Sequence, residues 1–423
     1  MKQYIIIGNS AAGISAVEAI RRRDKDSKII IFSDEDYSAY CRCLISYYLA
    51  GDIKEDKIFY RPGSFYKENN IELFLNKRVS RIDPKKSRII CEDKTQFNYD
   101  ALLVATGASA RIPQELKGNK KRGVFSFRTM KDTKEIMGLL PVTSAASVLG
   151  GGLVGLKAAY GLKKRNVAVK VVVKSRQILS QMLDFTAAGL VQKRLEDNGV
   201  EIILGEDVAE IIGEGEIKAI KLGSGKVFES SLIVIGKGVK PNIELIKDTE
   251  TKFNEGIIAD NSMRTNTENI YAAGDCAESF DIALGVNSIN ALWPVAVEQG
   301  RIAGANMAGD SLNYEGSVGM NSIEFFGLPA ISLGVFKTKE NETGIEEIKD
   351  YDEKMPLYKK IILKGNVIVG ATFVGNIKNT GVFLRLIREK IDISDFKDKL
   401  LQENFGYPVI MDLIKDKERL YVK

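Results

Sequence analysis

The sequence predicts an α/β protein with two parallel-sheet domains, because one strand–turn–helix pattern occurs twice in its 423 residues. In the first copy, an apolar strand breaks at Gly8 and is followed by an amphipathic helix over 14–23. In the second copy, a strand breaks at Gly150 before a helix over 156–164. A short apolar strand, a glycine turn and a helix, in this order, are typical of the unit that opens a doubly wound sheet.

The small residues of each turn are those that a dinucleotide requires. The first glycine makes the turn, the second lets the backbone approach a pyrophosphate, and the third lets the helix pack closely on the strand. The unpaired N–H groups at the start of the helix then point at the phosphates. Ser10 stands in the place of the second glycine in the first copy. The predicted binding residues are Gly8, Ser10, Ala11, Ala12 and Gly13 in the first turn, and Gly150, Gly152, Leu153, Val154 and Gly155 in the second.

Acidic residues follow two further apolar strands. Asp34 and Glu35 come after the strand 28–32, about 20 residues past the first turn, where a carboxylate binds the ribose hydroxyls of a dinucleotide. Far downstream, a buried strand over 269–273 ends in Gly274 and Asp275.

These motifs, in this order, resemble the two-dinucleotide-binding flavoproteins of the pyridine nucleotide-disulfide oxidoreductase superfamily. The resemblance implies FAD at the first turn, with Asp275 on its ribityl chain, and NAD(P)H as co-substrate at the second turn. It also assigns cofactor-binding residues on the segment that crosses the flavin, on the two crossovers between the domains and on a later helix: Arg42, Ala105, Thr106, Gly107, Gly238 and Glu298.

The resemblance implies two Rossmann-like dinucleotide-binding domains and a C-terminal α+β domain. The FAD domain is split into 1–113 and 243–318, with the NAD(P)H domain inserted at 114–242. The last part, 319–423, contains two β-rich runs around Gly365, which predict a hairpin, and then a helix over about 381–390. Because such an appended domain resembles the dimer interface of the family, we expect a homodimer.

Composition excludes several classes of function. The net charge of +5 is small and no lysine run is interleaved with aromatic residues, so we expect no nucleic-acid partner. No apolar run is long enough for a membrane span, and residues 1–8 lack the features of a signal peptide, so we expect a cytoplasmic protein with no membrane partner. The chain has no histidine, which excludes Ser–His and Cys–His nucleophile pairs. We predict no metal site.

Cys43 decides between two interpretations of the chemistry. The segment 40–51 resembles NADH oxidases and coenzyme A-disulfide reductases. Cys43 stands at the position where those enzymes carry one redox cysteine. A thiol at a helix N-terminus beside Arg42 is expected to be reactive because its thiolate is favoured. The same segment also resembles nitrite reductase large subunits and rubredoxin reductases, in which proline often stands there, so Cys43 is alternatively a packing residue. Cys41 is expected to be a strained disulfide partner, because alternate residues of an extended chain lie too far apart.

The choice of coenzyme depends on the strand over 169–173. Lys174 and Arg176 follow it, and no carboxylate stands in this loop. Basic groups at this place bind the 2′-phosphate of NADPH, so we expect NADPH to be used at least as well as NADH.

The predicted function is transfer of a hydride from NAD(P)H to FAD and of electrons to an acceptor. The first acceptor candidate is a redox partner protein or subunit, such as a rubredoxin, a ferredoxin or a metalloenzyme. The alternative is a Cys43-dependent NADH oxidase or a coenzyme A-disulfide or polysulfide reductase. A third candidate is a flavin redox sensor with little turnover.

Overall fold

The computed structural model describes residues 1–338, 342–352 and 354–411. Up to residue 113, the helices are α1 (Ala11–Arg23), α2 (Ile45–Ala50) and α3 (Phe65–Glu68). The strands of this part are β1 (Gln3–Ile7), β2 (Lys28–Phe32), β3 (Ile71–Phe74), β4 (Val79–Asp83), β5 (Arg88–Cys91), β6 (Gln96–Asn98), β7 (Ala101–Val104) and β8 (Ala108–Ala110).

Between residues 114 and 242, the helices are α4 (Met130–Leu139), α5 (Leu153–Lys164) and α6 (Phe185–Asp197). The strands here are β9 (Val124–Phe125), β10 (Ala145–Leu149), β11 (Ala168–Val173), β12 (Val200–Leu204), β13 (Val208–Ile212), β14 (Ala219–Leu222), β15 (Val227–Glu229), β16 (Leu232–Ile235) and β17 (Val239–Pro241).

The remaining chain contains helices α7 (Trp293–Met307) and α8 (Thr380–Arg388). Its strands are β18 (Ile257–Ile258), β19 (Ile270–Ala272), β20 (Ala277–Asp281), β21 (Val286–Ser288), β22 (Met320–Phe325), β23 (Leu328–Gly334), β24 (Ile345–Asp352), β25 (Leu357–Lys364) and β26 (Val367–Val374).

The first parallel sheet has the strand order β19-β7-β1-β2-β3. Its central strand β1 pairs in parallel with β2 and β7, and the distant strand β19 joins the edge of β7. On one face, α1 and α7 pack backbone to backbone. A Cβ on Gly300 would lie 2.1 Å from the carbonyl oxygen of Ala12, and a Cβ on Gly304 would lie 2.2 Å from that of Ala16. Glycine on α7 therefore permits this close crossing.

The second parallel sheet has the order β12-β11-β10-β16-β9. The smaller antiparallel sheet β13-β14-β15 covers one of its faces, and apolar side chains of both sheets form a common cluster. Strands β8 and β17 pair as a two-stranded antiparallel ribbon at the two crossovers between the sheets. The domain boundaries predicted at 113/114 and 242/243 lie next to this ribbon and stay predictions.

The C-terminal sheet is antiparallel, with the order β22-β23-β26-β25-β24. Strands β25 and β26 form the hairpin predicted around Gly365, which has a φ of +60°. Helix α8 packs on β26 and contributes its apolar face to the core of this unit. Residues 412–423 of the predicted interface domain lie outside the described residues.

The predicted α/β class with two parallel sheets is confirmed, with small differences at the starts of two helices. Helix α1 begins at Ala11 rather than near residue 14, and α5 begins at Leu153 rather than near 156. Both helices start directly after the turn, so small turn residues form their first turns. In the part of the chain that the structure describes, no helix has both the length and the apolar character needed to cross a membrane.

Candidate cofactor and redox site

The first glycine turn lies at the carboxyl end of β1. Gly8 has a φ of +126°, and a Cβ there would lie 2.0 Å from the carbonyl oxygen of Ala105, which follows β7. A Cβ on Gly13 would lie 2.0 Å from the carbonyl oxygen of Gly8. Because the crossover, the turn and α1 meet backbone to backbone, both positions require glycine.

A cavity of about 390 Å³ opens at the carboxyl edge of the first sheet. The start of α1 forms one wall, and no side chain caps this helix end. An uncapped helix N-terminus suits a pyrophosphate, so this wall fits the phosphate-bearing part of FAD. The cavity is lined by most residues predicted for the first site: Gly8, Ser10, Ala11, Ala12, Asp34, Glu35, Arg42, Cys43, Ala105, Thr106, Gly107, Gly274 and Asp275.

A charged network joins the acidic end of the cavity to the segment before α2. The Glu35 carboxylate forms an ion pair with the Arg42 guanidinium and accepts a hydrogen bond of 2.6 Å from the Tyr40 hydroxyl. Burial of Tyr40 raises the pKa of its hydroxyl, so the hydroxyl remains a donor at neutral pH. The same guanidinium also donates to the carbonyl oxygen of Arg128 at 3.1 Å. The positive charge of Arg42 is therefore directed at Glu35.

Asp275 forms an ion pair with Arg128, a residue that sequence reasoning missed. The Arg128 Nη2 atom lies 2.6 Å from Asp275 Oδ2, and both residues line the cavity. Arg128 stands directly before Thr129, which caps α4 together with Asp132 in a reciprocal pair of hydrogen bonds. This capping pattern, Thr129 to Asp132, is visible in the sequence and could have marked the preceding arginine as fixed in place.

Glu298 does not reach the cavity, although the sequence assigns it to cofactor binding. Its carboxylate lies 3.7 Å from the Arg388 guanidinium on α8. The neighbouring Gln299, which is buried, accepts a hydrogen bond of 2.8 Å from the backbone N–H of Gly274. It also donates to the Ser279 hydroxyl at 2.8 Å. The buried face of α7 therefore fixes the Gly274 turn through Gln299.

Cys43 lies in the 3₁₀ turn Arg42–Leu44 that precedes α2, and it lines the cavity. The adjacent Cys41 sulfur is the main reason why the pKa of Cys43 is raised, and burial of the thiol adds to the effect. The Cys43 thiol and the backbone N–H groups of Cys43 and Leu44 lower the pKa of Cys41 to about 7. The expectation that Arg42 and the helix end favour the Cys43 thiolate is therefore wrong, since Arg42 is paired with Glu35 and the pKa of Cys43 is raised.

The second glycine turn repeats the packing of the first. A Cβ on Gly150 would lie 2.4 Å from the carbonyl oxygen of Gly236 after β16, and one on Gly155 would lie 2.1 Å from that of Gly150. A Cβ on Gly152 would meet no heavy atom within 4 Å, so open space lies beside the start of α5, where Leu153 and Val154 stand. This arrangement fits the pyrophosphate of a nicotinamide coenzyme.

Gly238 belongs to the ribbon between the two sheets and does not line the first cavity. Its φ is +87°, and its carbonyl oxygen accepts a hydrogen bond of 2.9 Å from the backbone N–H of Arg111. The role that the structure supports for Gly238 is the turn into β17.

Basic residues surround one carboxylate at the carboxyl edge of the second sheet. Lys174 follows β11, its side chain is 82% exposed, and its Nζ atom lies 3.8 Å from Asp207 Oδ2. Lys237, which follows β16, forms a closer ion pair with the same carboxylate. Arg176 is exposed. Sequence reasoning found no carboxylate in the loop after β11 because Asp207 lies further along the chain, between β12 and β13.

The chain matches two known families over most of its length. Residues 2–300 match the family described as pyridine nucleotide-disulphide oxidoreductase. Residues 320–391 match the rubredoxin NAD+ reductase C-terminal domain. The second match begins at Met320, the first residue of β22.

The chain is similar to proteins of several redox systems. It is 34% identical to a nitrite reductase [NAD(P)H] of Bacillus subtilis over 93% of this chain and 48% of that protein. It is 30% identical to the NADH-dependent phenylglyoxylate dehydrogenase subunit epsilon of Aromatoleum evansii over 94% of both chains. A solved NAD-dependent persulfide reductase from A. fulgidus is 27% identical, with a TM-score of 0.85 over 96% of this chain and 79% of that one.

This chain spans about half the length of the Bacillus subtilis nitrite reductase. The likeness nevertheless covers both glycine turns, the Asp275 segment and the C-terminal sheet. The chain belongs to the pyridine nucleotide-disulphide oxidoreductase family, whose members are FAD-dependent NAD(P)H oxidoreductases.

Proposed function

We propose that this chain takes two electrons from NAD(P)H and passes them to a second redox protein or subunit. The observation that carries the proposal is the cavity at the edge of the first sheet, which has an uncapped helix end on one wall and carboxylates at Glu35 and Asp275. When bound, FAD supplies hydride acceptance and onward electron transfer. The protein binds it, orients it and positions the nicotinamide.

Different residues bind different parts of FAD and NAD(P)H. The N-terminus of α1 binds the pyrophosphate, and Glu35, held by Arg42, binds the adenosine ribose. Asp275 binds the ribityl chain and is oriented by Arg128. The second glycine turn holds NAD(P)H. Because the chain lacks histidine, protons are moved by thiols, carboxyl groups or water near the site.

A partner protein as the acceptor is supported by the relatives. The phenylglyoxylate dehydrogenase protein is a subunit by its name and matches this chain over 94% of both lengths. The match of residues 320–391 to a rubredoxin reductase domain supports the same acceptor class. The alternative is a flavin redox sensor with little turnover. Rapid oxidation of NAD(P)H would exclude that alternative.

A second candidate is reduction of disulfide or polysulfide sulfur through Cys43. The position of this thiol on the cavity wall, together with Asp275 and Arg128, favours it. The likeness to a persulfide reductase supports the same chemistry. In this second candidate function, the acceptor is a small molecule that enters the cavity, so no partner protein is needed.

One set of anaerobic measurements tests both candidates. The flavin-loaded protein is mixed with NADH or NADPH, and bleaching of the flavin absorbance is followed before rubredoxin, ferredoxin or a disulfide is added. The proposal expects rapid bleaching and reoxidation by a protein acceptor, with the same rates in Cys43→Ser. Loss of all reoxidation in Cys43→Ser would support the thiol route instead. Failure of both nucleotides to bleach the flavin would contradict both candidates.

We also propose that the chain forms a homodimer through its C-terminal sheet. Among the residues that the structure describes, the outer strand β24 pairs on one side only, with β25, and its residue Tyr351 is 44% exposed. An unpaired strand edge can pair with a second copy. Light scattering of the purified protein measures the assembly, and a monomer at micromolar concentration would contradict the proposal.

A further inference from the structure

The segment that leads from β11 into α6, residues 175–184, packs against the second glycine turn. The backbone N–H of Leu179 donates to the carbonyl oxygen of Gly151 at 2.7 Å. The Cγ2 atom of the buried Ile178 would lie 3.3 Å from a Cβ on Gly151. The same segment contains Arg176, which we expect at the 2′-phosphate of NADPH. Residues 175–184 therefore lie beside two parts of the coenzyme site, and we call them the coenzyme segment.

The coenzyme segment has a strained backbone at Leu179. This residue has a φ of +51°, in the left-handed region that a bulky side chain rarely adopts. Its carbonyl oxygen accepts hydrogen bonds from the N–H groups of Met182 at 2.8 Å and Leu183 at 2.9 Å, so residues 179–183 form one compact turn. The Gln177 side chain donates to the Leu183 carbonyl oxygen at 3.0 Å and closes this turn. A strained residue persists only where its surroundings hold it, so the end of the segment has to be fixed.

The C-terminal sheet fixes that end. Asp184 is the last residue of the coenzyme segment, and its Oδ2 atom lies 2.5 Å from Lys360 Nζ on β25. It also accepts a hydrogen bond of 2.8 Å from the Tyr358 hydroxyl. Lys360 is 2% exposed and donates to the carbonyl oxygen of Phe336 at 2.7 Å, so the lysine is fixed within its own sheet. Because water screens a pair in this position only weakly, the attraction holds the segment firmly.

We propose that Lys360 is a positioning residue for NAD(P)H. Through Asp184 it keeps Leu179 against Gly151, and the glycine turn and Arg176 then meet the coenzyme in one fixed arrangement. Binding to a segment that is already ordered costs less conformational entropy than binding to a mobile one. The C-terminal sheet therefore raises coenzyme affinity through the ion pair. This inference rests on the proposed function, which assigns NAD(P)H to the second glycine turn.

Asp184→Asn tests the ion pair with little change in shape, because asparagine also caps a helix N-terminus. Calorimetric titration of the flavin-loaded protein with NAD⁺ and with NADP⁺ measures binding without electron transfer. We expect the dissociation constants of both nucleotides to rise about fivefold or more. The rate of flavin bleaching at saturating NADH should stay the same, since no group of the cavity at the first sheet is altered.

Arg194→Met is the matched control. Arg194 Nη1 donates to the carbonyl oxygen of Phe326 at 2.9 Å, so it also joins α6 to the C-terminal sheet, but toward the other end of the helix. Its loss should leave both dissociation constants unchanged. An Asp184→Asn variant that binds as tightly as the wild type would overturn the proposal. An equal loss of affinity in Arg194→Met would do the same, because any contact between these units would then suffice.

Hydrogen exchange of the wild-type protein tests the coupling without a variant. Coupling between two sites is reciprocal, so NADP⁺ should slow exchange in residues 176–184 and also in residues 357–361. Slower exchange in the first peptide alone would overturn the proposal. A wild-type protein that binds neither nucleotide would instead contradict the proposed function itself, which makes the two failures distinguishable.

Discussion

Lys360 and Asp184 form an ion pair between the C-terminal sheet and the N-terminus of α6. Lys360 Nζ lies 2.5 Å from Asp184 Oδ2, and the lysine side chain is only 2% exposed. Asp184 also caps α6 by accepting a hydrogen bond of 3.0 Å from the Ala187 N–H, and it accepts one of 2.8 Å from the Tyr358 hydroxyl. One carboxylate therefore joins β25 to the unit that contains the second parallel sheet.

Lys360→Met is expected to destabilise the protein by about 3 to 5 kcal/mol, because it leaves the shielded Asp184 charge without its partner. Urea unfolding followed by circular dichroism measures the loss. Lys364→Met, at the exposed end of the same strand, is the matched control and should change stability by less than about 0.5 kcal/mol. Equal stabilities of the two variants would show that the pair contributes little.

The sequence predicted the turns because their chemistry is local. Glycine at Gly8 and Gly13 is required by backbone contacts within one strand–turn–helix unit, so spacing alone identifies it. Arg128 could not be predicted to reach Asp275, since only the fold brings these two distant segments together.

Glu298 lies outside the cavity for a similar reason. A family motif marks the segment but not which neighbouring side chain faces inward, and on a helix adjacent residues point in directions about 100° apart. The buried position on α7 is Gln299, which contacts Gly274, whereas Glu298 points toward α8. The residue of this segment that contacts the Gly274 turn is therefore Gln299, one position after Glu298.

Gly13→Ala is expected to abolish loading with FAD. The new Cβ would lie 2.0 Å from the Gly8 carbonyl oxygen, so α1 must move away from the turn that holds the pyrophosphate. The flavin released by denaturation, measured per protein chain, reports the loading. Gly189→Ala is the control, because a Cβ there meets no heavy atom within 4 Å and the position lies inside α6. Normal flavin content in Gly13→Ala would refute the packing role of this glycine.

Replacing Lys174 and Arg176 by alanine is expected to lower kcat/KM for NADPH about tenfold while changing that for NADH little. Charge-assisted hydrogen bonds to the 2′-phosphate are worth about 1.5 to 3 kcal/mol, and about 1.4 kcal/mol corresponds to a factor of ten. Steady-state kinetics with both coenzymes give the ratio. A strong wild-type preference for NADH that the double variant leaves unchanged would mean that these residues are only surface charges.

Asp207→Asn tests the carboxylate that competes for these basic groups. Its loss frees Lys237 and Lys174 from their shared partner, so the ratio of kcat/KM for NADPH to that for NADH should rise. Asp197→Asn on α6, which removes the partner of the exposed Lys193, is the matched control and should leave the ratio unchanged. A fall in the ratio for Asp207→Asn would indicate that the carboxylate instead positions the lysines for the phosphate.

Alkylation of Cys41 by iodoacetamide is expected to rise with pH and to reach half of its plateau rate near pH 7. Only the thiolate reacts, and the thiolate fraction increases as pH passes the pKa of about 7 that the Cys43 thiol and the nearby backbone N–H groups produce. Cys43→Ala removes the donor, so the pKa of Cys41 should return toward the ordinary value of about 8.5 and the rate at pH 7 should fall about tenfold. Cys43→Ser keeps a hydroxyl donor and should give an intermediate midpoint. Mass spectrometry of the peptide that ends at Arg42 follows the reaction, and a wild-type midpoint near 8.5 that neither variant shifts would show that the Cys43 thiol does not lower the pKa of Cys41.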